Sequence, residues 1–280
     1  MASVKGGDDM RFGIVGGDMR FVHLADMMKE ERRPAAGFLQ EGAGGGRYPL
    51  ERLAGCDCIV SNWPMRWPLS DRELSTAEIM ENIAPGTVML LCGPDFPRDR
   101  RWDLQYVNLW SDEVLLQENA YLTAEGAVAA VLRRTDCRLK DADCLVVGYG
   151  RIGRALTDIL CRLEARVTVA SRGTAKHSRV TACGARPVTL RQLDSCIGDM
   201  HLIFSTPPSL VLDRRLLEKT SMDALIVDLA SPPYGVDLSA AHALGRHAWR
   251  EPGLPGRYCP QSAARVLYNA ICRWEENADE

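Results

Sequence analysis

The chain has 280 residues, of which 46% are hydrophobic and 25% are charged, and its formal net charge is −3. This length suits two domains of ordinary size, and the apolar fraction is sufficient for a hydrophobic core in each. The small net charge gives no reason to expect nucleic-acid binding, and no apolar stretch approaches the length of a membrane span. We therefore expect a soluble globular protein that binds neither nucleic acid nor membrane.

The first nine residues are polar and lack the apolar segment of a signal peptide, so we predict a short disordered leader. The ten cysteines are scattered, with no C-x-x-C pair and no histidine–cysteine cluster at zinc spacing. We expect reduced thiols, most of them buried, and no bound metal.

The first part of the chain alternates short apolar runs with helical patterns. Strands are predicted at residues 10–15, 58–60 and 87–92, with a helix after each of the first two. A weak strand and a flexible glycine-rich loop are expected within residues 37–46. This alternation indicates a parallel β-sheet with helices on its faces.

A helix predicted over residues 123–134 connects this region to a second set of alternating strands and helices. We expect an α/β protein with two doubly wound parallel-sheet domains. Residues 1–120 form the first, a substrate-binding or assembly domain. Residues 121–257 form the second, a Rossmann dinucleotide-binding domain, and a C-terminal helix within residues 258–280 returns to the first.

The most informative segment reads Cys-Leu-Val-Val-Gly-Tyr-Gly-Arg-Ile-Gly over residues 144–153. A predicted buried strand runs into Gly148, Gly150 and Gly153 at the spacing G-x-G-x-x-G, and a predicted helix begins at Arg151. Such glycines permit a tight turn, a close approach to a pyrophosphate and close packing of helix on strand. The helix N-terminus favours negative charge. We expect Gly148, Gly150, Arg151, Ile152 and Gly153 to bind a dinucleotide.

The end of the next predicted strand selects between the two nicotinamide cofactors. An NAD site has an acidic residue there for the ribose 2′-hydroxyl, whereas this chain has Ser171 and Arg172, with Lys176 close by. A hydroxyl and a guanidinium suit a 2′-phosphate, so NADP(H) is favoured over NAD(H). The alternative is that Arg172 and Lys176 are solvated loop charges.

Three further turns follow strands of the second domain, where ligands of doubly wound sheets bind. They contain Thr206 and Pro207, Ala230 and Ser231, and the segment Gly253, Leu254, Pro255 and Gly256. Each turn taken alone could be ordinary loop punctuation. In the first domain, Ser61 and Asn62 lie just past a strand, and Thr123 begins the predicted connector helix, where free N–H groups can hold a carboxylate.

No residue is recognisable as a general base. None of the five histidines pairs obviously with a carboxylate in sequence, and the arginine, glutamate and histidine set of 2-hydroxy acid dehydrogenases is not recognisable after the glycine motif. This argues against a simple hydroxy acid substrate.

The chain resembles the A subunits of dipicolinate synthase from spore-forming bacteria. The likeness is carried by Ile-Val-Gly-Gly-Asp-Met-Arg at 14–20, Thr-Ala-Glu-Gly at 123–126, the glycine motif at 148–153, Ala-Ser-Arg at 170–172, Val-Asp-Leu-Ala-Ser-Pro-Pro-Tyr-Gly at 227–235, and Pro-Gly-Leu-Pro-Gly at 252–256 with Pro-Gln-Ser-Ala-Ala at 260–264. The G-G-D-x-R start and the Pro-Gly-Leu-Pro-Gly segment are the more specific of these.

The resemblance implies oxidation of a dihydro- or hydroxytetrahydro-dipicolinate to pyridine-2,6-dicarboxylate, with NADP+ as hydride acceptor. It also implies a partner, the flavoprotein-like B subunit of dipicolinate synthase, and a place in the mother-cell cytoplasm of a sporulating bacterium; we further expect a homo-oligomer. On this basis Thr123, Ser262 and the turn from Gly253 to Gly256 would hold the substrate carboxylates. Ser61 and Asn62, just past a strand of the first domain, are predicted to supply the rest of the substrate site. The nicotinamide would lie near Thr206 and Ser231, and Thr123, Ser231 and Ser262 are the predicted catalytic residues.

Two other functions stay open. The chain could be a dehydrogenase of another substrate, related to the methylene-tetrahydrofolate or amino acid dehydrogenases. It could also be a non-catalytic nucleotide-binding protein that regulates or scaffolds the B subunit.

Overall fold

The computed structural model describes residues 10–38, 49–63, 65, 67–68, 73–93, 103–136 and 138–278. The chain divides into two compact units, one formed by Met1–Asn119 with Pro255–Glu280 and the other by Ala120–Leu254. The predicted leader and the glycine-rich loop at residues 42–46 lie outside the described residues.

Strands and helices alternate along the whole chain. The first unit contains β1 (Phe12–Val15), α1 (Met19–Glu30), β2 (Ala35–Phe38), β3 (Cys58–Asn62), β4 (Trp67–Pro68), β5 (Glu73–Leu74), α2 (Thr76–Met80), β6 (Val88–Cys92) and β7 (Gln105–Asn108). Helix α3 (Glu113–Leu132) leads into β8 (Asp143–Val147), α4 (Arg151–Arg162), β9 (Arg166–Ser171), α5 (His177–Ala182), β10 (Arg186–Thr189), β11 (Leu202–Ser205), α6 (Arg214–Leu217), β12 (Leu225–Asp228), α7 (Leu238–Ala243) and β13 (His247–Arg250). Helices α8 (Leu254–Tyr258) and α9 (Pro260–Ala278) follow.

The sheet of the first unit has the order β2-β1-β3-β6-β7, and every neighbouring pair in it is parallel. This is a doubly wound order, in which the direction of winding reverses between β1 and β3. Strands β4 and β5 form a separate antiparallel pair.

One face of this sheet carries α1 and α9. Helix α1 begins at the N-cap Asp18 and buries Phe21, Leu24, Ala25 and Met28, residues at the helical spacing seen in the sequence. Helix α9 contributes Ala264, Leu267, Ala270 and Ile271 to the same core. The C-terminal helix therefore belongs to the first unit, as predicted.

The sheet of the second unit has the order β10-β9-β8-β11-β12-β13 and is also parallel throughout. This is the order of a Rossmann fold, with β8 as its first strand. The strands read as apolar runs because helices cover both faces of such a sheet. The predicted fold class, two doubly wound parallel-sheet domains, is confirmed.

Two local predictions are wrong. Helix α3 starts ten residues earlier than expected: Asp112 accepts hydrogen bonds from the N–H groups of Val114 and Leu115, and neither glycine nor proline occurs between Asp112 and Thr123 to interrupt the helix. Thr123 is therefore buried inside a helix and does not present free N–H groups. The segment predicted as a turn before the last helix is partly helical, since Leu254, Pro255 and Gly256 belong to α8.

No helix among the described residues is long and apolar enough to cross a membrane.

Candidate functional site

The glycine loop joins β8 to α4 at the carboxyl edge of the second sheet. Gly148 has a φ of +92°, which residues other than glycine rarely adopt. A Cβ atom on Gly148 would lie 2.4 Å from the Oγ1 atom of Thr206, and one on Gly153 would lie 2.2 Å from the carbonyl oxygen of Gly148. Both glycines are required because the backbone and the neighbouring strand end come too close for a side chain.

Gly150 differs from these two glycines. It is the N-cap of α4, and a Cβ atom there would meet nothing within 4 Å. The space above Gly150 is therefore open, next to the first turn of α4 with Arg151 and Ile152. This is the arrangement in which backbone N–H groups can contact a pyrophosphate.

A cleft of about 450 Å³ lies over this loop. Its lining includes three glycines, the end of β9 with the loop after it, and the turn after β11: Gly148, Tyr149, Gly150, Ala170, Ser171, Arg172, Gly173, Ala175, Lys176, Leu190, Thr206, Pro207, Pro208, Ser209 and Val211. The cleft thus brings together Gly148, Gly150, Ser171, Arg172, Lys176, Thr206 and Pro207 of the predicted cofactor residues.

Thr206 fixes one wall of the cleft to the glycine loop. Its N–H and its hydroxyl both donate to the carbonyl oxygen of Val147, at 3.0 and 2.9 Å. These two hydrogen bonds therefore hold the wall that begins at Thr206 against the end of β8.

The far end of the cleft is basic, with no acidic residue at the end of β9. Arg172 is exposed and lines the cleft. Ser171 is buried, and its hydroxyl donates to the carbonyl oxygen of Gly173 at 2.8 Å, so its proton is already engaged. The Nζ atom of Lys176 donates to the carbonyl oxygen of Tyr149 at 3.0 Å and so reaches the glycine loop. Arg172 and Lys176 thus place two cationic side chains at this end of the cleft.

Tyr149 is an uncharged part of the loop. Its hydroxyl lies 3.6 Å from the Sγ atom of Cys183, and burial, reinforced by this contact, raises the pKa of Tyr149 to about 12. The phenol is therefore neutral at physiological pH and adds no charge to the cleft.

The loop after β12 is organised by one buried carboxylate, which the sequence did not single out. Asp228 accepts hydrogen bonds from the N–H groups of Ala230, Gly235 and Val236 at 3.2–3.3 Å. Ser231 is exposed on the turn that this loop forms. Ala230 and Ser231 therefore lie at the end of the strand next to β11, outside the lining of the cleft.

The predicted substrate residues fall in different units. Ser61 is buried in the first unit, where its hydroxyl donates to the carbonyl oxygen of Val15 at 2.9 Å. Asn62 ends β3, and Ser262 is exposed in the first turn of α9. Thr123 and Gly253 belong to the second unit.

The two segments that carry the resemblance most specifically come into contact at Asp18 and Gly256, which both belong to the first unit. A Cβ atom on Gly256 would lie 2.3 Å from the Oδ2 atom of Asp18, so α8 packs directly on that carboxylate. Asp18 also receives the side chain of Arg20, whose Nε atom donates to Oδ1 at 2.8 Å. The contact between these two segments was not predicted, although both segments stand out in the sequence.

No group of three or more potential metal ligands occurs among the residues that the structure describes.

Comparison with known proteins identifies what the chain is similar to. The family model for shikimate/quinate 5-dehydrogenase matches residues 130–241, which cover most of the second unit. The A subunit of dipicolinate synthase from Bacillus subtilis (strain 168) is 30% identical over 167 residues, which are 60% of this chain and 56% of the length of that relative. The resemblance to the dipicolinate synthase A subunits is confirmed.

Solved structures agree with this likeness at the level of the fold. The dipicolinate synthase A subunit from Bacillus halodurans has a TM-score of 0.81 at 21% identity, covering 96% of this chain and 99% of that one. The dipicolinate synthase A chain from Bacillus subtilis has a TM-score of 0.79 at 21% identity, with 99% of each chain covered. A transhydrogenase from Sinorhizobium meliloti follows, with a TM-score of 0.68 at 15% identity over 95% of this chain and 94% of that chain. The family match and the Bacillus subtilis relative support an oxidoreductase.

Proposed function

We propose that this protein oxidises a dihydro- or hydroxytetrahydro-dipicolinate to dipicolinate, with NADP+ as the hydride acceptor. The observation that carries the proposal is the glycine-lined cleft of the second unit, in a chain similar to the dipicolinate synthase A subunit.

The residues around the cleft fit a dinucleotide. A side chain at Gly148 or Gly153 would clash with its neighbours, while the space above Gly150 is open at the start of a helix of 12 residues. The N–H groups in the first turn of α4 would hold the pyrophosphate. When bound, NADP+ accepts a hydride.

The choice of NADP+ over NAD+ rests on the end of β9. Residues 171 and 172 are Ser and Arg where an NAD site has an acidic side chain. Arg172 is exposed in the cleft, and among the described residues it has no ion-pair partner. A free guanidinium can form a bidentate pair with a 2′-phosphate.

The reaction suits a site without an evident general base. A dihydro-dipicolinate loses one hydride to NADP+ and one proton, and the hydroxytetrahydro form also loses water. Because the product ring is aromatic, these losses are strongly favoured, and a powerful base is not needed. The chain's own contribution is to orient the substrate and hold its carboxylates.

The same proposal includes a partner and a setting. We infer that the partner is the flavoprotein-like B subunit of dipicolinate synthase, that the chain assembles into a homo-oligomer, and that it acts in the mother-cell cytoplasm of a sporulating bacterium. Similarity to the Bacillus subtilis relative supports this inference.

The test is dipicolinate formation followed by its ultraviolet absorbance. The full-length protein is mixed with NADP+ or NAD+, with and without the B subunit, and with precursor made in situ from aspartate semialdehyde and pyruvate. We expect product to form faster than the spontaneous background and to require NADP+. Background rates in every mixture, despite NADP+ binding, would favour another substrate or a regulatory role.

A variant in the same assay tests the choice of cofactor. Arg172→Gln should weaken NADP+ binding roughly tenfold or more, while NAD+ binding changes little. Arg179→Gln is the matched control, because Arg179 is exposed on α5 and does not line the cleft. An equal effect of Arg172→Gln on both cofactors would contradict the 2′-phosphate assignment.

A further inference from the structure

Three polar residues form a row across neighbouring strands at the carboxyl edge of the second sheet. Ser205 ends β11 in register with Asp228 of β12, and Asp228 is in register with Arg250 of β13. Adjacent strands lie about 4.8 Å apart, so the backbone of Arg250 is roughly 10 Å from that of Ser205. The row leads from the wall of the cofactor cleft to the edge strand.

The middle residue of the row holds two loops in place. The carboxylate of Asp228 is fully buried and binds the N–H groups of Ala230, Gly235 and Val236. The carbonyl oxygen of Gly235 in turn accepts hydrogen bonds from the N–H groups of Val211 and Leu212, at 3.0 Å each. Val211 lines the cofactor cleft, so this carboxylate links the loop after β12 to the cleft wall.

Arg250 has a fixed guanidinium with unused donors. Its central carbon lies 3.6 Å from the centroid of the Tyr234 ring, which sets the plane of the group. Its Nε atom is 3.7 Å from the Oδ2 atom of Asp228, a favourable charge contact but too long for a hydrogen bond. The side chain is 38% exposed, and its guanidinium donates no hydrogen bond to any residue that the structure describes.

The neighbouring acidic residue does not compete for Arg250. Glu251 is buried, accepts a hydrogen bond from the Nε1 atom of Trp249 at 2.6 Å, and pairs with Arg134 at 3.3 Å. Arg134 also stacks on the Trp249 ring at 4.5 Å. The carboxylate of Glu251 is therefore bound by Trp249 and Arg134 and not by Arg250.

We propose that Arg250 binds one carboxylate of the substrate through a bidentate pair. This inference rests on the proposed function, because it assigns a carboxylate-binding residue to the dicarboxylate that the protein would oxidise. A planar guanidinium held by an aromatic ring is the group that recognises a carboxylate with defined geometry. In a Rossmann fold the nicotinamide extends from the glycine loop toward β11 and β12, so a substrate ring beside it would place a carboxylate within reach of β13.

The experiment measures binding and turnover separately. Calorimetry follows pyridine-2,6-dicarboxylate and pyridine-2-carboxylate binding to the full-length protein saturated with NADP+, and the absorbance assay gives kcat and KM for the precursor. The variants are Arg250→Gln and Arg250→Lys. The control is Arg166→Gln. Arg166 is an exposed arginine that pairs with Asp143, and both residues lie at the amino ends of their strands in the same sheet.

We expect Arg250→Gln to raise the KM for precursor and the Kd for the dicarboxylate roughly 10-fold to 100-fold, with the Kd for NADP+ unchanged. The variant should bind the dicarboxylate about as weakly as the wild type binds the monocarboxylate. Arg250→Lys keeps the charge but not the planar pair of donors, so its losses should be smaller. Arg166→Gln should bind both compounds as the wild type does.

The outcomes separate this inference from the proposed function. Wild-type KM and Kd in Arg250→Gln, with turnover present, would overturn the role of Arg250 and leave the proposed reaction standing. If the wild type does not turn the precursor over, the proposed reaction fails. In that case, weaker binding of the dicarboxylate to Arg250→Gln than to the wild type would still support a carboxylate-binding role for Arg250. Equal binding to the two proteins, or no binding to the wild type, would overturn that role. If Arg250→Gln does not fold, the same comparisons are read from Arg250→Lys.

Discussion

Individual glycines of the motif G-x-G-x-x-G have different physical tasks, and the structure separates them. Gly153 is enclosed, since a Cβ atom there would lie 2.2 Å from the backbone oxygen of Gly148, which cannot swing away as a side chain can. Gly150 faces open space and has a φ of −84°, which any residue can adopt. The first is needed for folding of the loop, and the second leaves room for a ligand.

Substitution by alanine should separate these tasks. Gly153→Ala should lower the free energy of unfolding by about 1–3 kcal/mol, because overpacking forces the loop and α4 apart. Gly150→Ala should change it by less than about 0.5 kcal/mol, but should raise the Kd for NADP+ roughly tenfold or more, because the methyl group occupies the space of the pyrophosphate. Urea unfolding measures the first quantity, and displacement of fluorescent NADPH by NADP+ measures the second. A Gly150→Ala variant with unchanged affinity would exclude close approach of the cofactor at this residue.

Residue-level prediction from the sequence succeeded where one local rule decides the outcome. The glycine spacing is such a case, because strand, turn and helix are contiguous. It was wrong at Thr123, whose position depends on a cap eleven residues earlier, at Asp112. It gave no sign that the Ser171 hydroxyl bonds to Gly173, because that contact depends on the path of the loop.

At the scale of secondary structure, the start of helix α3 is set by the residue that caps it, Asp112. Asp112 accepts the N–H groups of Val114 and Leu115, and it also pairs with Arg273 of α9, whose Nε atom lies 2.9 Å away. Burial acts to raise the pKa of Asp112, but the hydrogen bonds from Leu115 and from Arg273 outweigh it and hold the pKa below its ordinary value. The charged form of Asp112 therefore stabilises the folded first unit.

The stabilisation by Asp112 should depend on pH with a definite sign. Because the pKa of Asp112 is lower in the folded state, the stabilisation is complete above the unfolded-state pKa, which is about 3.9. The stabilisation is lost as the pH falls through the folded-state pKa. Asp112→Asn keeps the cap acceptor but not the charge, so its deficit in unfolding free energy should shrink as the pH falls below about 4. Asp112→Ala also lacks the cap, so at low pH it should remain about 1 kcal/mol less stable than the wild type. Urea midpoints from pH 6 to pH 3 test this, and a deficit of Asp112→Asn that is independent of pH would contradict it.

Long elements with clear periodicity were predictable, and the short ones that precede the C-terminal helix were not. The buried face of α1 follows from spacing alone. Strand β13 (His247–Arg250) has only four residues, with two of them exposed, so it lacks an apolar run. Helix α8 contains a proline and a glycine, which usually mark turns or caps, and its packing on Asp18 is a contact distant in sequence. Arg250 was not predicted as a binding residue because β13 could not be recognised as a strand from the sequence.

At the scale of the whole chain, a segment near the beginning and the last helix are joined by a largely buried ion pair. Arg33 follows α1, and its guanidinium contacts the carboxylate of Glu275 of α9, 242 residues later. The two side chains are only 10% and 13% exposed, and Arg33 lies over the ring of Phe12 at 4.7 Å. This pair helps to hold the C-terminal helix in the first unit.

Breaking the pair on one side should be costly, because it leaves a largely buried charge without its partner. Glu275→Gln should lower the free energy of unfolding by about 3 kcal/mol, while the double variant Arg33→Met with Glu275→Leu should recover most of that loss. Glu31 and Arg265 connect the same two parts of the chain but are each 48% exposed, so Glu31→Gln should cost about 0.5 kcal/mol or less. Urea unfolding of the four proteins gives the comparison. Equal losses in Glu275→Gln and Glu31→Gln would mean that burial does not set the strength of the pair, and that apolar packing of α9 on α1 retains the helix without it.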